Sequence, residues 1–150
     1  MAGKGARRSA AARRPLRDED FSKLLRLRSG LRRFVRWSED QAVAAGLTPA
    51  QHQLLLAVRG HGVGGGPTVG EVADYLQLRH HSAVELIDRA QAAGLVARAR
   101  DEADHRIVRL QLTKKGVARL EQLTLAHLEE LSRLAPHMRS LWDGLDHSDR

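Results

Sequence analysis

Side chains that can bind phosphates and base edges lie together at Arg79-His80-His81-Ser82. An arginine can take guanine in the major groove, and a histidine can donate to or accept from a base edge or a phosphate. If a helix begins here, its free amide groups also attract phosphate. Glu85, one turn further on, can accept a hydrogen bond from cytosine or cap the helix. The set predicts a contact with nucleic acid, and the alternative is an ordinary polar turn.

Metal and catalytic chemistry have less support in these residues. His80 and His81 are adjacent, and adjacent side chains on a helix point about 100° apart, so the two rarely chelate one ion alone. The chain has no cysteine, which excludes disulfides and thiolate zinc sites. It also has no HExxH motif, nucleophile elbow or paired-carboxylate motif. The sequence therefore predicts a protein with no metal, no cofactor and no enzymatic activity.

A second basic group lies on a stretch with the alternation of a half-buried strand. In RARDEADHRIVRLQLT, every second residue from Val108 to Leu112 is apolar and faces the same way. The run before it and the polar turn between them complete a small hairpin over residues 95–112. Arg98 and Arg100 leave its first arm on one face, where they are either phosphate contacts or solvated strand residues.

The remaining elements that position these groups are predicted to be helices, from apolar periodicity and capping boxes. They run from Asp18 to about Ala45, from Thr48 to about Arg59, from Thr68 to about Leu76, from Arg79 or Ser82 to Ala93, from Thr113 onward and from Pro136 onward. The third and fourth have the proportions of a helix-turn-helix. Because the hairpin follows them directly, the sequence predicts a winged helix in a mainly α fold with a small β-hairpin.

The segment GHGVGGGP, from Gly60 to Pro67, contains five glycines. A phosphate-cradling loop would need a strand before it and a Lys-Ser/Thr pair after it, and this segment has neither. It is therefore expected to be a flexible connection.

Positive charge is concentrated near the N-terminus. The chain carries +7 in all, and residues 1–17 contribute +6 of it without an acidic residue. This stretch is poor in apolar residues and is expected to be a disordered tail, either a solubilising leader or an arm that lies along nucleic acid. The nearly neutral remainder needs local clustering to bind nucleic acid. No run approaches the ~18 apolar residues of a membrane span, and no secretory signal is evident, so we expect a cytoplasmic protein.

Several short motifs together resemble the MarR family of bacterial transcription regulators. They are Gly94-Leu95-Val96-Ala97-Arg98, then Asp101, Asp104 and Arg106 spaced D-x-x-D-x-R, then Leu112-Thr113-x-x-Gly116, and Leu47-Thr48-Pro49-Ala50-Gln51 at the second helix. The resemblance covers roughly Asp18 to Leu145. It departs at Ala103, where many relatives carry arginine, at Ala90, where they often carry leucine, and at the glycine-rich segment, which is longer than usual.

The resemblance implies a single domain over residues 18–150 that forms a homodimer. The helices in residues 18–46 and 113–150 of two subunits interleave as a dimerisation region, and residues 47–112 form the winged helix-turn-helix. The two winged helices then read a pseudo-palindromic double-stranded DNA operator with half-sites about one helical turn, ~10 bp, apart. The apolar stripes of the terminal helices are consistent with a homodimer, because a monomer of this length could not easily cover them.

The resemblance also implies roles for residues of the hairpin turn. Arg106 contacts the DNA backbone or the minor groove, Asp104 orients it, and His105 adds a contact. The alternative is a local Asp104–Arg106 bridge that takes no part in DNA binding.

A small aromatic or anionic effector is implied by the resemblance alone. It would bind between the dimerisation helices and the winged helix, with Phe34, Arg36, Trp37 and His52 as its lining, unless Phe34 and Trp37 are dimer core. The function implied is a homodimeric repressor released by such an effector. The alternative is a winged-helix protein-interaction module without specific DNA binding.

Overall fold

A computed structural model describes residues 15–62 and 64–143 of the chain. Its elements are α1 (Asp18–Ala44), α2 (Pro49–Gly60), α3 (Val69–Leu76), α4 (His80–Ala92), β1 (Val96–Arg100), β2 (Val108–Leu112) and α5 (Lys114–Asp143). The two strands form one antiparallel hairpin, in which Val96 pairs with Leu112 and Arg100 with Val108. The prediction of a mainly α fold with a small hairpin is confirmed. Most of the predicted basic tail, residues 1–14, lies outside the described residues.

Two capping boxes fix the starts of α2 and α3 as the sequence predicts. Thr48 accepts from the amide of Gln51 at 3.1 Å, and Gln51 accepts in return from the amide of Thr48 at 3.0 Å. Thr68 and Glu71 repeat this exchange at 3.2 and 2.7 Å. Each box satisfies amide groups that the first helical turn leaves free.

The open question about the start of α4 is settled in favour of the earlier position. Gln77 ends α3 in a left-handed conformation with φ of 53°. Arg79 is then the residue before the helix, and α4 begins at His80. Ser82 lies inside the first turn, so the capping pattern that begins at Ser82 is not used.

The prediction that Pro136 begins a separate last helix is wrong, because α5 continues through it. Proline lacks one helical hydrogen bond donor but has a backbone φ compatible with a helix. Packing beyond the proline supports the continuation, since the sulfur of Met138 lies 3.5 Å from where a side chain at Gly30 of α1 would begin. Tertiary contact with α1 therefore outweighs the local preference of proline.

The core gathers around α2, where Leu54 and Leu55 are fully buried, and takes in Ile87 of α4 and Leu110 of β2. The outer helices are covered far less. Of the residues on α1, only Leu27, Ser38 and Ala42 are buried. Large apolar side chains that stay exposed on α1 and α5 are Phe21, Leu24, Leu25, Leu31, Val35, Val43, Leu125, Leu128, Leu131 and Trp142. No helix within residues 15–62 and 64–143 combines the length and the apolar character needed to cross a bilayer.

Candidate nucleic-acid interface

The first turn of α4 presents polar side chains to solvent. Arg79, His80, His81 and Glu85 are all exposed, while Ser82 is half-buried. The opposite face of the helix is anchored in the core through its buried residues Ala83, Leu86, Ile87 and Ala90. Glu85 lies beyond the third helical position, so it does not complete a capping box with Arg79. The helix thus combines a fixed inner face with an outer face of donors and acceptors.

The turn of the hairpin holds Arg106 in a defined orientation. Asp104 accepts hydrogen bonds from the amide of Arg106 at 3.1 Å and from its side-chain Nε and Nη2 at 3.0 and 2.9 Å. The bond from the Arg106 side chain is the main cause that lowers the pKa of Asp104. The side chain of Arg106 nevertheless remains 89% exposed. A charged group is therefore presented to solvent with restricted freedom.

Asp101, which directly follows β1, organises the same turn. Its Oδ1 accepts from the amides of Ala103 and Asp104, both at 2.9 Å. Its own amide donates to the carbonyl of Ile107 at 2.9 Å, which closes the turn. Arg100 contributes a further bond from Nη1 to the carbonyl of His105 at 3.0 Å. Arg100 and the side chain of His105 are exposed, so both remain available beside Arg106.

Of the two alternatives for Arg98, the structure contradicts a solvated strand residue, and the phosphate contact stays a prediction. Its Nη2 donates to Oδ1 of Asp88 at 2.6 Å, and its Nη1 donates to Gln91. Both partners lie on α4. The register of the hairpin explains these contacts. It pairs Arg98 with buried Leu110, so the side chain of Arg98 lies on the face of the hairpin that packs against α4. Arg98 is neither a solvated strand residue nor free of protein partners.

Arg109 was missed among the candidate residues, although it lies beside them. Its side chain is only 19% exposed and pairs with Asp101. Its Nη1 donates to the carbonyl of Gly66 at 2.9 Å. The available signal was the hairpin itself, since any pairing of the two arms brings Arg109 close to Asp101.

Three of the four candidate ligand residues meet at the junction of α1, α2 and α5. The rings of Phe34 and Trp37 stack with centroids 5.9 Å apart, and His127 lies 4.8 Å from both Trp37 and His52. Arg36 is turned away and borders a shallow depression on α1 instead. His127 was not predicted, because nothing in its own segment points to this junction.

Hydrogen bonds fix His127 within the junction. Its Nδ1 donates to the carbonyl of Leu123 at 2.7 Å, and its Nε2 bonds the hydroxyl of Ser38 at 2.7 Å. His52, only 4% exposed, has its pKa lowered by burial and, secondly, by the neighbouring His127.

An apolar groove of about 350 Å³ runs along the first half of α5. Its lining residues are Arg59, Leu112, Val117, Leu120, Glu121, Thr124, Leu125 and Leu128. Among the described residues, no three histidine, aspartate or glutamate side chains gather as a metal site would require.

Comparison with known proteins shows which families and proteins have sequences similar to this chain. Residues 45–107 match the model of the MarR family. The transcriptional repressor MdtR of Bacillus subtilis is 30% identical over 78 residues, which are 52% of this chain and 48% of the relative. The uncharacterized transcriptional regulator YsmB of the same species is 34% identical over 67 residues, 45% of this chain and 46% of the relative. The chain thus spans about half the length of the curated relatives it matches.

Solved structures share the fold over most of the chain. A MarR family protein from Bacillus stearothermophilus superposes with a TM-score of 0.67 at 26% identity, covering 80% of this chain and 82% of that one. The MepR–DNA complex of S. aureus gives 0.62 at 21% identity, covering 79% and 84%. The MarR family, which residues 45–107 match, consists of transcription regulators and not enzymes, in agreement with the prediction from the sequence. The chain therefore shares the winged-helix fold of a solved MarR family protein over most of its length, and its residues 45–107 are similar in sequence to the MarR family.

Proposed function

We propose that this chain is a sequence-specific transcription regulator that binds double-stranded DNA as a homodimer. One observation carries the proposal: the exposed polar turn of α4 stands on the same winged helix as Arg106, which is 89% exposed and held by Asp104. A helix face that enters the major groove and a basic hairpin beside it are what base readout and backbone grip require.

The proposed contacts divide between the two elements. Arg79, His80 and His81 read base edges or bind phosphates at the start of α4, with Ser82 and Glu85 as further contacts. On the hairpin, Arg106 reaches the backbone or the minor groove, and Arg100 and His105 lie next to it. Among solved structures with this fold, MepR of S. aureus is bound to an oligodeoxyribonucleotide, which supports this use of the fold.

A second copy of the chain is the proposed partner of α1 and α5. Their exposed apolar side chains exceed what a monomer usually leaves in contact with water. Two winged helices related by a twofold axis would then face a pseudo-palindromic operator with half-sites about 10 bp apart. Since such an operator lies on chromosomal DNA, the proposal includes a cytoplasmic location.

We further propose that the regulator is a repressor and that binding of a small aromatic or anionic molecule releases it from DNA. The relative MdtR is described as a repressor. The apolar groove along α5 and the aromatic junction around His52 both lie between the outer helices and the winged helix, where a ligand can shift one against the other. A thermal-shift screen of aromatic acids, followed by release of the DNA complex, tests this step.

The DNA segment just upstream of the chain's own gene is the first duplex to test, by gel shift and by fluorescence anisotropy. Arg106→Ala should weaken binding to every duplex, because it removes a contact that carries no sequence information. Arg79→Ala should also reduce the preference for that segment over a scrambled duplex. Arg119→Ala, an equal loss of charge on an exposed site of α5, is the control. No retardation at micromolar protein in low salt would favour the protein-interaction module instead.

A further inference from the structure

Arg109 is a partly buried cation that joins three separate parts of the winged helix. It projects from β2, pairs with Asp101 at the end of β1, and donates from Nη1 to the carbonyl of Gly66 at 2.9 Å. The side chains of Arg109 and Asp101 are 19% and 17% exposed. A charge so little exposed is retained only with partners, and each partner here belongs to a different segment.

The glycine-rich segment is shaped around this arginine. A side chain at Gly65 would begin 3.0 Å from Cδ of Arg109, and one at Gly66 would overlap the carbonyl oxygen of Leu110. Both glycines have φ near +85°, a conformation that other residues rarely adopt. The amide of Leu110 also donates to the carbonyl of Pro67 at 2.8 Å. The end of the glycine-rich segment, from Gly65 to Pro67, thus lies against β2 of the hairpin.

Asp101 transmits the position of Arg109 to the exposed turn. One carboxylate oxygen of Asp101 receives Arg109, and the other receives the amides of Ala103 and Asp104. The hydrogen bond from Arg109 is the largest cause that lowers the pKa of Asp101. Asp104 in turn holds Arg106. A continuous chain of polar contacts therefore runs from Gly66 through Arg109 to Arg106.

We propose that Arg109 is a positioning residue for DNA binding, which fixes the direction of Arg106 through Asp101 while the glycine-rich segment holds it in place. The proposal rests on the function proposed above. Arg109 itself is covered and contacts no DNA. Without it, Asp101 loses its partner, the turn gains conformational freedom, and Arg106 must be ordered at the moment of binding.

A double-mutant cycle on DNA binding separates this role from a general structural one. Arg109→Gln and Arg106→Ala should each weaken binding roughly tenfold. The double variant should bind no more than about twofold more weakly than Arg106→Ala alone, because both changes remove the same contact. Arg119→Gln is the charge-matched control. Independent losses that multiply to roughly a hundredfold, or an Arg109→Gln variant that binds like the parent, would overturn the proposal.

Arg109→Lys provides a second variant in which the buried charge is kept. An ammonium group cannot reach a carboxylate and a carbonyl in the fixed fork of a guanidinium, so we expect an intermediate loss of affinity with unchanged thermal stability. Full parental affinity in this variant would show that charge alone matters and would contradict a positioning role.

Amide hydrogen exchange in the DNA-free protein tests the same inference without any operator. In Arg109→Gln, exchange at Ala103 and Asp104 should accelerate at least about tenfold, while exchange at Ile87 in the core stays at the parental rate. Unchanged protection of the turn would refute the positioning role. If the parent protein retards no duplex while this difference in exchange is observed, the proposed function fails and the structural inference holds.

Discussion

At the scale of single residues, the environment of each arginine on the hairpin decides its role. Arg106 is solvent-exposed and held by one carboxylate, Arg98 is bound to α4, and Arg109 is enclosed between Asp101 and Gly66. These three arginines are the same residue type on one hairpin. Of the three, Arg106 alone has both the access and the restricted orientation that contact with DNA requires, since a free side chain would lose more entropy on binding.

The change Asp104→Ala tests whether orientation matters more than charge. Removing an acidic group beside a phosphate should tighten binding if net charge alone decides. We instead expect affinity to fall about threefold, because Arg106 loses the three hydrogen bonds that it donates to Asp104 and that restrict it. Fluorescence anisotropy at constant ionic strength measures the difference, with Glu102→Ala as a charge-matched control on an exposed neighbouring residue. Tighter binding by Asp104→Ala would contradict the expectation.

Because the side chain of His52 is buried, we predict that the stability of the protein depends on pH. Burial holds the pKa of His52 below its usual value of 6.5, so the unfolded chain takes up a proton before the folded one does. Stability is therefore present in full above pH 6.5 and declines as the pH falls through the unfolded value toward the folded one. The variant His52→Gln should flatten the profile of Tm between pH 7 and pH 5, whereas His105→Gln, on an exposed site, should leave it unchanged. Equal profiles for parent and His52→Gln would exclude this cause.

At the scale of elements, the parts of the fold that local signals specify agree with the prediction. The capping boxes at Thr48 and Thr68 each depend on residues within a few positions, and both are found as expected. The strand β2 is also found, although Val108 on its apolar face is 38% exposed. The continuous α5 was not predicted, because contact with α1 overrides the proline. The cluster around Arg109 was also missed, since its bond to Gly66 spans 43 positions. His127 meets Ser38 across 89 positions, a contact that periodicity along the chain cannot reveal.

Gly116 has a structural role in the joint between the hairpin and α5. A side chain there would overlap the carbonyl oxygen of Leu95, which also receives the amide of Thr113 at 3.1 Å. Gly116→Ala should therefore lower the free energy of unfolding by about 1–3 kcal/mol, since backbone cannot move aside cheaply. Gly70→Ala is the matched control, because its nearest neighbour would lie 3.9 Å away and helical alanine is favoured by about 0.5 kcal/mol. Urea denaturation at one protein concentration compares them, and equal effects of the two changes would exclude the steric explanation.

At the scale of the whole molecule, the distribution of charge bears on the proposed binding of DNA. The chain carries +7, of which residues 1–17 contribute +6, so the remaining residues together are close to neutral. Attraction to DNA must then come from the local group on α4 and the hairpin, together with whatever the N-terminal segment adds. A single winged helix of this kind presents few cations, and two copies on one operator multiply the number of phosphate contacts.

Dimerisation can be tested at Leu131, an α5 side chain that is 46% exposed. Leu131→Glu places a charge on the apolar face proposed to meet the partner, so it should shift the protein from dimer to monomer in sedimentation equilibrium. Affinity for a full palindrome should then fall by about 10²-fold or more, because the second winged helix no longer binds from the same particle.

The matched control is Leu56→Glu, since Leu56 is also 46% exposed but lies on α2. We expect this variant to remain a dimer and to keep the parental affinity, which would show that a charge on an exposed leucine is harmful only on the dimerisation face. On a duplex with a single half-site, parent and Leu131→Glu should bind alike, because only one winged helix is engaged in either case. A Leu131→Glu protein that sediments as a dimer and binds the palindrome like the parent would mean that this face of α5 is not the subunit interface.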